Sequence, residues 1–148
     1  MKDKGCIAVV SVDGTDFKID EPTPFSRKWC SHKINHAGLR YEIGICIQTG
    51  WIVWVNGPFP AGSFPDLAIS RCGLNQALMH GEKFVADGGY KDRYGWSFNP
   101  SGCNTREQHM MAKVRSRHEV VNSLFKKFGA FKHSWRHHRS KHGIDKSQ

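Results

Sequence analysis

From Cys6 to Val12 the chain reads CIAVVSV, a near-continuous apolar run rather than an alternating one. A strand with one face in water alternates apolar and polar residues, so this run fits a central strand covered on both faces. Such a strand needs partners at its edges and cover above and below. The run then stops in Asp13-Gly14-Thr15-Asp16. A strand destined for the core thus carries a carboxylate at its end.

The rest of the chain supplies the partners. GLRYEIGICIQTG alternates around Tyr41, Ile43, Ile45 and Ile47, as a half-buried strand does. A QTG turn leads into WIVWVNG, so these two strands are expected to pair as a hairpin. Asp66 to Leu78 reads as one helix with Leu67, Ile69, Leu74 and Leu78 for burial and Ser63 as its cap. EKFVADGGY is a short strand ending in Asp87 and two glycines, and KDRYGWSFNPSGC is a loop. Asn104 or Thr105 opens a long helix to about Phe128, with Met110, Val114, Val121, Phe125 and Phe128 along one side. Strand, hairpin, helix, strand, helix is the order of a mixed α/β domain.

The 148 residues suffice for one domain burying roughly two thirds of the unfolded chain's surface. No apolar run is long enough to span a bilayer, and the N-terminal MKDKG lacks a secretory signal's apolar segment. Five scattered cysteines without a CxxC pair fit reduced thiols and a nuclear or cytoplasmic setting. Lys and Arg outnumber Asp and Glu by 22 to 13, and the stretch from Lys126 to His142 holds six Lys/Arg, four His and no acid. Such a block favours a polyanionic partner, since each cation that neutralises a phosphate releases counterions; a solvated basic tail is the plainer alternative. That alternative also covers His133, His137, His138 and His142, whose spacing is compatible with a metal, and Cys30, His32 and His36 carry no stronger signal.

Two strands end at an Asp followed by Gly, and ligands of open α/β sheets gather at the carboxyl ends of strands. If the two lie side by side and parallel, Asp13 and Asp87 face each other. Two such carboxylates repel unless one is protonated or a divalent cation neutralises both. Hard oxygen ligands suit Mg²⁺ or Mn²⁺, and two ions about 4 Å apart can clamp the attacking and leaving oxygens of a phosphodiester. A third carboxylate is then expected from a following helix, and Glu119 is the candidate. Its rival Glu107 sits three residues after Asn104, where a capping-box residue belongs. The two glutamates point about 120° apart on an ideal helix and cannot replace each other. Two alternatives stand beside the metal reading. Asp-Gly after a strand is a turn signal, and Glu119 shares a polar face with Arg115, Asn122 and Lys126, where it can simply be solvated.

Four separated blocks, SVDGTDFKI, SHKINHAGLRYEIGICIQTGWIVWVNGPFPAGSFPD, FVADGGYKD and RSRHEVVNSLFKKFGAF, together resemble the DDE transposase domain of the Harbinger/PIF superfamily, in that family's order. The resemblance implies an RNase H-like fold, a central mixed sheet with flanking helices, over residues 1–130, followed by a basic tail at 131–148. It implies a metal-dependent DNA endonuclease or transposase core with Asp13, Asp87 and Glu119 as catalytic, metal-holding acids and two Mg²⁺ or Mn²⁺ ions. Its partners would be transposon ends and target DNA, and a Myb-like helper protein is common in the superfamily; no membrane is implied. Lys33, Arg115, Lys126 and Lys127 are the plausible phosphate contacts. Where many relatives have His-Asp after a PGS turn, this chain has Pro65-Asp66, so the histidine's role is missing and Asp66 either caps its helix or touches metal. Relatives carry a long N-terminal region with a helix-turn-helix part, whereas only twelve residues precede Asp13, so a catalytic core alone is expected. A domesticated RNase H-like module that binds DNA or protein without catalysis is the alternative. A small RNA-binding protein is a weaker one, because the aromatic signatures of common RNA-binding modules are missing.

Overall fold

A computed structural model describes residues 2–3, 6–90, 97–98, 105–128 and 133–134. The described strands are β1 (Lys2–Asp3), β2 (Cys6–Lys18), β3 (Cys30–Ser31), β4 (His36–Cys46), β5 (Ile52–Pro60), β6 (Glu82–Val85) and β7 (Ser97–Phe98). The helices are α1 (Asp66–Cys72), α2 (Leu74–Ala77) and α3 (Thr105–Lys127). Strand β2 lies at the centre of the sheet, antiparallel to β4 on one edge and parallel to β6 on the other. Beyond them, β4 pairs antiparallel with β5 and β6 pairs parallel with β7. This mixed sheet with flanking helices is compatible with the RNase H-like fold that the resemblance implies.

Each face of the sheet has its own core. Val12, Leu74, Phe84, Ala86 and Tyr90 form one cluster, with Val10, Trp54 and Leu78 packed against it, and α1 and α2 cover that face. Ala8, Val85, Met111 and Val114 form the other under α3. Full burial of Phe84 and Tyr90, whose rings meet edge to face, contributes roughly 1.5–3 kcal/mol each.

The central position expected for the CIAVVSV run is observed, but its end is not where the Asp-Gly pair placed it. Strand β2 continues through Asp13 and Gly14 to Lys18, pairing with β4 all the way to Gly38. Only β6 stops, at Val85 opposite Ser11. Asp13 therefore stands mid-strand, just where one edge of β2 loses its partner. Gly14 makes no turn; a Cβ there would sit 2.3 Å from Asp66 Oδ1, so glycine is needed to let α1's first residue close on the strand.

Other boundaries also moved. The hairpin of β4 and β5 forms as expected. Strand β4, however, has buried residues on both faces, Glu42 included, since it is flanked by β2 and β5 and α1 packs on it. The single helix expected over Asp66–Leu78 breaks at Gly73, which packs so close to Asn56 that a Cβ would stand 2.4 Å from its Nδ2. Ser63 does not cap it; its hydroxyl donates to the Lys28 carbonyl, and Pro65 precedes the first turn. Within the loop before α3, Ser97 and Phe98 pair with Phe84 and Val85. Helix α3 buries Met111 rather than Met110, with Val114 and His118, while Phe128 is exposed. Asn104 lies outside the described residues, as does the Glu107 side chain.

Candidate functional site

Strand alternation sorts the side chains of β2. Asp13, Thr15 and Phe17 point toward α3, touching Asn122 and Phe125. Gly14 and Asp16 face the other way, toward Asp66 and Arg40. Register then does what the parallel pairing promised. Ser11 pairs with Val85, so Asp13 and Asp87 both stand two residues past the last bonded pair. Together with Arg115, His118 and Glu119 from α3 they line one cleft of about 440 Å³.

Both aspartates are held. Asp13 Oδ2 accepts from Asn122 Nδ2 at 3.1 Å. Asp87 Oδ1 accepts from the Gly89 N–H at 2.9 Å, and the Tyr90 N–H donates to the Asp87 carbonyl. The buried Tyr90 ring anchors that turn, and its hydroxyl is pushed far up in pKa by burial, then by Asp66, Glu42, Asp13 and Asp87. His118, 6% exposed in the cleft wall, is pushed down by burial against the opposing pull of Asp13 and the Ser11 backbone, so it is neutral at pH 7. Glu119 and Arg115 sit on the exposed side of α3 at the cleft.

Asp66 reaches the same region from the opposite face of β2. The point where a Cβ on Gly89 would stand is 3.2 Å from Asp87 Oδ1 and 3.4 Å from Asp66 Oδ2, so these two carboxylates flank one glycine. Asp66 is already compensated, by Arg40 at 3.3 Å and Lys33 at 3.5 Å. Lys33 also donates to the Gly14 carbonyl at 2.9 Å, which fixes it one residue from Asp13. Lys126 and Lys127 are exposed in the last turn of α3.

Behind the site, Arg40 grips Asp16 with two hydrogen bonds of 2.7 and 2.8 Å, and Ser31 adds a third donor. Glu42 accepts from the Trp54 indole at 2.8 Å, and burial pushes its carboxyl up to about 7. Sequence reasoning missed Glu42, His118 and Asn122 as parts of the site. The signal for His118 and Asn122 was available, one residue before and three after Glu119. Glu42 gave none, since it occupies an outward position of an alternating strand.

Residues 12–146 match the family of the DDE superfamily endonucleases. The chain belongs to that family. No curated protein and no solved structure matches the chain significantly. Membership in the DDE endonucleases implies a nuclease with a DNA substrate, and such enzymes generally use divalent metals. Among the described residues no helix is long and apolar enough to cross a membrane. Among them, too, no three His, Cys, Asp or Glu side chains close around one metal position. The acids at the cleft are nevertheless the donor set for a hard cation, which binds through one or two carboxylates plus water and phosphate oxygens.

Proposed function

We propose that this DDE endonuclease is the catalytic core of a Harbinger/PIF-type transposase, cutting and joining DNA with Asp13, Asp87 and Glu119. The observation that carries this reading is the matched position of Asp13 and Asp87, each two residues past the last bonded pair of parallel β2 and β6, with Glu119 of α3 lining the same cleft. Asp13, Asp87 and Glu119 would together hold divalent cations, Mg²⁺ or Mn²⁺, expected as two ions. When bound, those ions supply Lewis-acid charge and a deprotonated attacking oxygen at neutral pH. The chain's own contribution is position: Gly89 holds Asp87, Asn122 holds Asp13, and α3 delivers Glu119. Asp66 we read as a fixed wall of the site, neutralised by Arg40 and Lys33 rather than available to metal. Arg115 at the cleft and Lys126 and Lys127 at the end of α3 would take DNA phosphates, with transposon ends and target as substrates.

A second reading, an RNase H-like module that binds DNA without cutting it, is favoured by one fact: no three-ligand group closes among the described residues. A nicking assay on supercoiled DNA, with Mg²⁺ or Mn²⁺, separates the two. Metal-dependent nicking that Asp87→Asn removes supports the catalytic reading. A folded wild-type chain that binds DNA but never nicks it overturns that reading for this chain.

A further inference from the structure

The side chain that meets Asp13 is an amide that is itself locked. Asn122 Nδ2 donates to Asp13 Oδ2 at 3.1 Å, while Asn122 Oδ1 accepts from the Thr15 hydroxyl at 2.7 Å. Asp13 and Thr15 are successive residues on the α3-facing side of β2, so one amide spans two neighbouring positions of the strand. Its two ends are not equivalent. An ionised carboxylate only accepts, and an amide has one donating and one accepting end. With Thr15 donating to Oδ1, the NH₂ end is left for Asp13. Turned over, the amide would set its carbonyl oxygen against the carboxylate.

Asn122 also lies three residues after Glu119, on the same side of α3. The turn of helix that carries the third acid is therefore pinned to the strand that carries the first. The donor is neutral, so it orients Asp13 without cancelling its charge.

We infer that Asn122, locked by Thr15, is a positioning residue that aims the Asp13 carboxylate and sets Glu119 opposite it. The hydrogen-bonded bridge stands by itself; its consequence for metal rests on the function proposed above.

The test uses the full chain and two readouts. In metal-free protein, the side-chain amide protons of Asn122 are followed by NMR. They are expected to shift and exchange faster in Asp13→Ala and in Thr15→Val, and to stay near their wild-type positions in Thr15→Ser, which keeps the hydroxyl. In the second readout, Mn²⁺ affinity measured by electron paramagnetic resonance is expected to fall about 10- to 100-fold in Asn122→Ala and Thr15→Val, as for other groups that orient a metal ligand. Thr15→Ser restores it. An amide signal indifferent to both Asp13→Ala and Thr15→Val overturns the bridge. Equal Mn²⁺ affinity in wild type, Asn122→Ala and Thr15→Val overturns the positioning role. Mn²⁺ binding that ignores even Asp13→Ala counts against the metal reading instead, and the metal-free amide signal then decides the bridge.

Discussion

Asp13 and Asp16 stand three residues apart on the same strand and lead opposite lives. Asp13 faces α3 and an open cleft, and it accepts a hydrogen bond from a neutral amide. Asp16 faces inward, its side chain 1% exposed, with both oxygens taken by the Arg40 guanidinium and one also by Ser31. A carboxylate whose charge is cancelled by a buried guanidinium is spent on structure. One held by neutral donors keeps its charge for a cation. Asp66 lies between these cases, touched by Arg40 and Lys33 yet flanking the same glycine as Asp87.

The contrast can be broken by exchanging which property fails. Asp13→Asn is expected to cut metal-dependent nicking about a thousandfold, roughly 4 kcal/mol of transition-state stabilisation, with the melting temperature almost unchanged. Equal nicking by this variant and wild type in one DNA assay removes Asp13 from the chemistry. Arg40→Met should do the reverse. It leaves Asp16 buried without its cation and costs about 3–5 kcal/mol, a fall of roughly 10 °C in a thermal melt followed by circular dichroism. A melt unchanged by Arg40→Met would show that the pair is dispensable.

Glu42 extends the comparison to a third carboxylate, buried and, among the described residues, bonded to the Trp54 indole rather than to a cation. Its folded pKa is raised from an ordinary 4.5 to about 7, chiefly by burial, with Asp66 adding to the rise and the Trp54 hydrogen bond opposing it. The folded state therefore holds a proton that the unfolded chain releases between those values. Stability from this group is fully present below pH 4.5 and is lost as pH rises toward about 7. Glu42→Gln, which cannot ionise, should gain on wild type across that window, by roughly 3 kcal/mol at pH 8 compared with pH 4. Urea melts at the two pH values measure it; a difference that does not grow with pH refutes the assignment. His118 acts with the opposite sign, because its depressed pKa makes the fold lose stability as pH falls through about 6.5.

These carboxylates also mark how far the sequence could be read. Two apolar runs with the same ending raised the possibility that Asp13 and Asp87 meet if the strands are parallel neighbours, and helix α3 followed from its periodicity. What one strand looks like alone was visible; where its neighbour stops was not. Asp13-Gly14 has the composition of a turn, yet β4 goes on pairing past it, so tertiary hydrogen bonding overrides the local signal. Glu42 read as outward-facing because alternation assumes a solvated side, and that side of β4 buries Arg40 and Glu42 instead. Asn122 was placed on the right face of α3, but an amide's partners are fixed only when strand and helix meet.

Gly14 gives the smallest and most local test. The glycine separates Asp13 from Asp16 in sequence and admits Asp66 in space, since a Cβ would stand 2.3 Å from Oδ1 and 3.0 Å from Cγ of that residue. Alanine in a strand ordinarily gains about 0.5–1 kcal/mol over glycine. Here the overlap should win, because Asp66 is tethered by Arg40 and Lys33 and cannot swing away freely. The expected net loss for Gly14→Ala is about 1–2 kcal/mol. A double-mutant cycle isolates the cause: in an Asp66→Ala background the same change should become neutral or stabilising, a coupling that contacting residues show and distant ones do not. If Gly14→Ala costs the same with and without the Asp66 side chain, glycine is there for the backbone rather than for Asp66. The separation of a free Asp13 face from a neutralised Asp66 face would then need another origin.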